Sequence, residues 1–75
     1  MDAVTTVVIN NDYITLGQFL KLNHFISNGG QAKYFLEANS IRVNGLLERR
    51  RGKKLFSNFI IDINNKKYQI QIKKD

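Results

Sequence analysis

The 75-residue chain has no cysteine, which excludes disulfides and thiolate chemistry and makes an intracellular setting the expectation. It has one histidine, His24, and a lone histidine without cysteine cannot build the usual zinc sets. Acidic residues are few. Asp2, Asp12, Glu37, Glu48, Asp62 and Asp75 are scattered over expected tails, turns and exposed faces. No two of them form an acid–base pair, no nucleophile sits beside a base, and no phosphate loop with its lysine is present. An enzyme is therefore not expected, and no catalytic residue, metal ligand or cofactor is assigned. No apolar run is long enough for a transmembrane helix. The opening MDAVTTVVINND lacks a basic start followed by an apolar stretch, so no signal peptide is expected and the cytoplasm is the default.

What the chain does have is apolar residues and positive charge. An apolar content of 43% is enough to fold, and the length fits one domain spanning residues 1–75, marginally stable by itself. Twelve Lys and Arg against six Asp and Glu leave a net charge of +6. Such an excess favours a polyanionic partner, nucleic acid ahead of an anionic membrane surface. The blander alternative is that the lysines only keep a small protein soluble, and the placement of the charge must decide.

Val4 to Ile9 reads as a strand that pairs with a later one, and Asn10-Asn11-Asp12 as a turn. Thr15 and Gln18 form a capping box, with Ile14 and Phe19 as its hydrophobic staple, which predicts a helix over 15–24. Leu16, Phe19, Leu20 and Asn23 fall on one side of it, Gly17 and Lys21 on the other. Gly17 suggests close approach of a second helix, or else of a ligand. His24 is expected at the helix terminus, with Phe25 and Ile26 in the core after it.

The stretch Ser27 to Leu55, SNGGQAKYFLEANSIRVNGLLERRRGKKL, organises the rest. Asn28 with Gln31 predicts the cap of a second helix over 29–38, and Gly29 and Gly30 leave its first turn open to an anion. Ala32, Phe35 and Leu36 must face the core, which leaves Gln31, Lys33, Tyr34 and Glu37 outside. Tyr34 can stack on a base or ribose while Lys33 meets a phosphate; partial burial of Tyr34 against a loop is the competing reading. Asn39 is expected to take the left-handed position that ends the helix. Ile41-Arg42-Val43, Asn44-Gly45 and Leu46-Leu47-Glu48 read as strand, tight turn and return strand. The run Arg49, Arg50, Arg51, Gly52, Lys53, Lys54 is either a phosphate-binding loop or a solvated one; the short hairpin that ties it to the second helix favours binding. Phe59 to Ile63 is a strand with Phe59, Ile61 and Ile63 on one face. Asn64 to Lys67 is a turn, Tyr68, Ile70 and Ile72 lie on a half-buried strand, and Lys73 to Asp75 should fray. The expected core contains Leu16, Leu20, Ala32, Phe35, Leu36, Val43 and Ile61.

The runs ITLGQFLK (14–21), SNGGQAKYFL (27–36), IRVNG (41–45) and RRGKKL (50–55) occur in an order that resembles the small stand-alone S4-like RNA-binding proteins of bacteria, of the YaaA type with YbcJ-like relatives. Their shared element is the alpha-L motif. The resemblance covers nearly the whole chain; the four runs together are specific, although each alone is weak. It implies an α+β fold of two packed helices followed by a small, mostly antiparallel sheet. It implies binding of structured RNA, such as ribosomal RNA. A monomer without membrane attachment is the expectation, with ribosomal proteins as candidate further contacts. Carried over by motif, the RNA-binding residues are Gln31, Lys33, Tyr34, Asn44, Arg50, Arg51, Lys53 and Lys54. Relatives often carry tryptophan or histidine where Tyr34 stands, and glycine at or near His24 and Asn39. The competing class is a ribosome- or replication-associated protein-interaction adaptor whose basic face only steers association.

Overall fold

Alternating apolar residues in the strands and apolar residues three and four apart in the helices meet in one core. The computed structural model describes residues 3–73, so the expected fraying of Lys74 and Asp75 and the placement of Asp2 lie outside the described residues. In chain order the elements are β1 (Val4–Ile9), β2 (Ile14–Thr15), α1 (Leu16–Leu22), a single 3-10 turn (Gly29–Gln31) and α2 (Ala32–Ala38). They are followed by β3 (Ile41–Val43), β4 (Leu46–Leu47), β5 (Lys54–Leu55), β6 (Ile60–Ile63) and β7 (Lys66–Ile72). The fold is α+β, and the sheet is mostly antiparallel.

Five strands form the main sheet in the order β1-β7-β6-β3-β4, and β2 and β5 form a separate two-stranded ladder. The expected order is refined at one point. β1 precedes both helices, yet it belongs to the main sheet, where it pairs parallel with β7. The other neighbours are antiparallel, including Ile61 opposite both Val43 and Tyr68. Because side chains alternate along a strand, this register puts Val7, Ile9, Val43, Ile41, Ile61, Ile63 and Ile70 on the face that the helices cover. From the helices come Leu16, Phe19, Leu20, Ala32 and Leu36, all buried. Each large apolar side chain so buried contributes about 1.5–3 kcal/mol. Phe35 departs from expectation. It is half-buried and packs on the rim of the core, its ring centroid 5.6 Å from that of Phe25. Tyr68 completes this aromatic rim, edge-on to both Phe19 and Phe25.

The caps follow the sequence in part. At α1 the capping box between Thr15 and Gln18 is formed in both directions. Asn28, by contrast, makes no side-chain cap; Gln31 instead accepts the backbone N–H of Ser27 at 2.6 Å. Asn39 is extended (φ −127°, ψ 153°), not left-handed, and caps α2 by donating its side-chain amide to the Phe35 carbonyl at 3.0 Å. Asn23 does the same for Phe19 at the end of α1. There the left-handed residue is His24 (φ 64°).

The two hairpins are built alike. Asn44-Gly45 (φ 52° and 86°) joins β3 to β4, and Asn64-Asn65 (φ 51° and 73°) joins β6 to β7. Positive φ at both central residues gives the twist that suits a two-residue connection. The second turn is thus two residues long, not four, and Lys66 and Lys67 already belong to β7. Lys73 is also tied down, because its N–H donates to the Ile9 carbonyl at 2.9 Å.

Gly45 sits in open space, so only its backbone conformation resists substitution. Gly45→Val should destabilise the protein by about 1–3 kcal/mol, because a β-branched residue resists positive φ. Thermal unfolding should show a midpoint lowered by roughly 5–15 °C; an unchanged midpoint would contradict the turn.

Candidate nucleic-acid interface

The basic loop is held by its backbone. The first N–H groups of a helix have no partner within the helix. In α1 each finds one nearby. Thr15 N–H donates to Gln18 Oε1, and Gln18 N–H to Thr15 Oγ1. Leu16 N–H donates to the Lys53 carbonyl and Gly17 N–H to the Arg51 carbonyl, both at 2.8 Å. The β2–β5 ladder continues this seam, with Thr15 opposite Lys54 and Ile14 opposite Leu55. Loop carbonyls therefore point at the positive end of α1 and the cationic side chains are left facing outward.

Gly17 explains how the loop comes so close. A Cβ at this position would lie 3.4 Å from the Arg51 carbonyl oxygen, 3.5 Å from Arg51 Cβ and 3.9 Å from Ala32 Cβ. The sequence left a second helix or a ligand as the neighbour; α2 is indeed there, but the basic loop is the nearer of the two.

The loop turns at Arg51 and Gly52, where the Lys53 N–H donates to the Arg50 carbonyl at 3.2 Å, and its side chains divide between two sides. Arg49 and Arg51 turn one way and join Gly30, Lys33, Tyr34 and Leu36 around an open cleft of about 350 Å³. Arg51 also reaches the Gly29 carbonyl with Nη1 at 3.4 Å, which links loop and 3-10 turn. Tyr34 is 70% exposed, so the outward reading of this ring holds over partial burial. Arg50, Lys53 and Lys54 turn the other way and line a second concavity of about 560 Å³ with Gly52, Phe56 and Phe59. Lys33 and Tyr34 therefore converge with Arg51 but not with Arg50, Lys53 or Lys54 in one cleft.

Asn44 and Gln31, both expected to bind RNA, hold turns of the fold together. Asn44 accepts the Ile60 N–H with its side-chain oxygen at 2.9 Å, and its own N–H donates to the Ile60 carbonyl, so it stitches the hairpin to β6. Gln31 braces the turn at Ser27 as described. Arg49 was absent from the expected set. No periodicity in the sequence could have singled it out, because the loop turns at Arg51 and Gly52 and is not a strand.

Glu48 organises the start of the loop. Its carboxylate accepts the backbone N–H groups of Arg49 and Arg50 and, from the Arg50 guanidinium, Nε at 3.0 Å and Nη2 at 3.3 Å. The hydrogen bond from the Arg50 side chain holds the Glu48 carboxyl below the usual carboxylate range, and Glu48 in turn raises the Arg50 guanidinium. Arg50 is thus partly neutralised, while Arg49 and Arg51 extend away from this pair.

Comparison with known proteins places this geometry in a family. A family model described as the S4 domain matches residues 7–71, and the chain belongs to that family. Among curated proteins, it is 44% identical over 57 residues to the probable ribosome maturation protein RlbA of Bacillus subtilis (strain 168), covering 76% of this chain and 80% of that one.

Two outcomes test the loop's anchorage. Gly17→Ala should be accommodated, because its Cβ would meet Arg51 at ordinary contact distance. Gly17→Val adds two methyl groups at the same place and should push the loop away, costing about 1–3 kcal/mol for the unpaired N–H; chemical denaturation of both variants measures the difference. The second concerns pH. Because folding lowers the Glu48 pKa, its contribution is present above the ordinary carboxylate range and is lost as pH falls through the lowered value. Glu48→Gln should therefore lose less of its melting midpoint than the native protein between about pH 6 and about pH 3.

Proposed function

We propose that the protein is a non-catalytic RNA-binding protein that grips structured RNA, with ribosomal RNA the leading class, through the surface made by α2, the 3-10 turn and the basic loop. The observation that carries this is the convergence of Lys33, Arg49 and Arg51 around the exposed ring of Tyr34. Guanidinium forks suit phosphate oxygens, and a flat exposed ring suits an unstacked base or ribose. Lys53 and Lys54, with Arg50 beside them, extend the positive surface around the loop. Membership of the S4 family and the name of the Bacillus relative support the same reading and a role connected with ribosome maturation.

Salt titration of binding to a structured RNA tests the proposal. Five phosphate contacts from Lys33, Arg49, Arg51, Lys53 and Lys54 give a slope of log affinity against log salt of roughly −3.5 to −4.5. Arg49→Ala with Arg51→Ala should flatten the slope by about 1.4–1.8 and weaken all RNAs alike. Tyr34→Ala should cost about 1–3 kcal/mol with little change of slope. An unchanged slope in the double variant would leave the loop a solvated charge run and favour the protein-docking class.

A further inference from the structure

Three aromatic rings on the far side of the basic loop have no part in the cleft around Tyr34. Leu55 of β5 is fully buried, and alternation turns the next residue, Phe56, outward, where the residue stays 43% exposed. Two neighbouring rings hold it, with centroids 5.6 Å away at Tyr13 and 5.7 Å away at Phe59. Lys54 Nζ lies over the Tyr13 ring at 4.9 Å from its centroid, within the range of a cation–π contact. Phe56 and Phe59 form the apolar side of the 560 Å³ concavity whose other side is Arg50, Gly52, Lys53 and Lys54. That volume falls within the range of small-molecule clefts, about 300–1,000 Å³, and its lining carries no acidic residue.

We infer that this aromatic and basic concavity is a second RNA subsite, which takes an unpaired nucleotide by stacking its base on Phe56 while Lys53 and Lys54 hold the flanking phosphates. It rests on the proposal that the protein binds RNA. Local packing of three rings would anchor the segment between β5 and β6 equally well, but it does not need a phenylalanine ring left nearly half in water and bordered by cations. A ring already fixed by its neighbours loses little conformational freedom when a base covers it, and every base has a face to offer. The two subsites lie on opposite sides of one loop. One RNA held on the Tyr34 side would then deliver an adjacent unpaired segment to the Phe56 side.

The test uses one RNA hairpin carrying a four-nucleotide unpaired tail, and the same hairpin with an abasic tail of equal length, so that the phosphates are matched. The native protein should bind the base-bearing tail about 5- to 150-fold more tightly than the abasic one. Phe56→Leu should lose this preference while keeping its affinity for the abasic hairpin, and Phe56→Trp should keep both. If Phe56→Leu does not fold by circular dichroism, ultraviolet crosslinking of the tail to the native protein replaces it; crosslinks at Phe56 or Tyr13 support the subsite, and crosslinks confined to Tyr34 overturn it. Equal affinity of the native protein for the two tails overturns the subsite and leaves RNA binding by the Tyr34 cleft intact. Failure to bind either hairpin overturns both.

Discussion

The N-terminus of α1 is the point on which the functional surface depends. A loop with Arg49, Arg50, Arg51, Lys53 and Lys54 in six residues repels itself. A pair of like charges about 4 Å apart in water costs about 1 kcal/mol. The hydrogen bonds from Leu16 and Gly17 to the loop carbonyls contribute about 0.5–1.5 kcal/mol each, the same order. The positive end of the helix dipole adds to their strength, because what faces it is carbonyl oxygen and not cation. The β2–β5 ladder and the Glu48 carboxylate complete the anchorage. The loop's shape is thereby set before any partner arrives, and a preformed surface loses less entropy on binding.

Fixing the backbone also divides the charge. With the loop turning at Arg51 and Gly52, the five cations split between a cleft with Tyr34 and a concavity with Phe56. Each side pairs cations with a ring. Glu48 takes up the Arg50 guanidinium at the point of division, which lowers the repulsion between the three successive arginines, while the Arg49 and Arg51 side chains line the cleft.

The core and the surface are separable. The buried set is wholly apolar among the described residues, and the cationic side chains lining both concavities are exposed or half-buried. Stability rests on the helix–sheet interface, and the charges can be altered without entering it. Asn44 is an exception, since it is both exposed and part of how the chain is held.

Local signals were strong enough in the sequence to define much of this protein. The Thr15–Gln18 capping box, the strand Val4–Ile9, the Asn44-Gly45 turn and the two-residue alternation of Ile61, Ile63 and Ile70 are properties of short segments. Neighbouring residues suffice to produce them. The order of four short motifs was enough for the family. What only the tertiary structure decided is non-local. The β2–β5 ladder joins residues far apart in the chain, as in Ile14 with Leu55, and two-residue strands carry no periodicity to read. Asn39 could have ended its helix by a left-handed backbone or by its side chain, and its extended conformation, with its side-chain oxygen accepting from Asn64, came from the meeting of α2 with the β6–β7 turn. The partition of the arginines likewise required knowing which carbonyls the helix end would hold, because a charge run specifies how much charge there is but not the direction in which each side chain leaves the backbone.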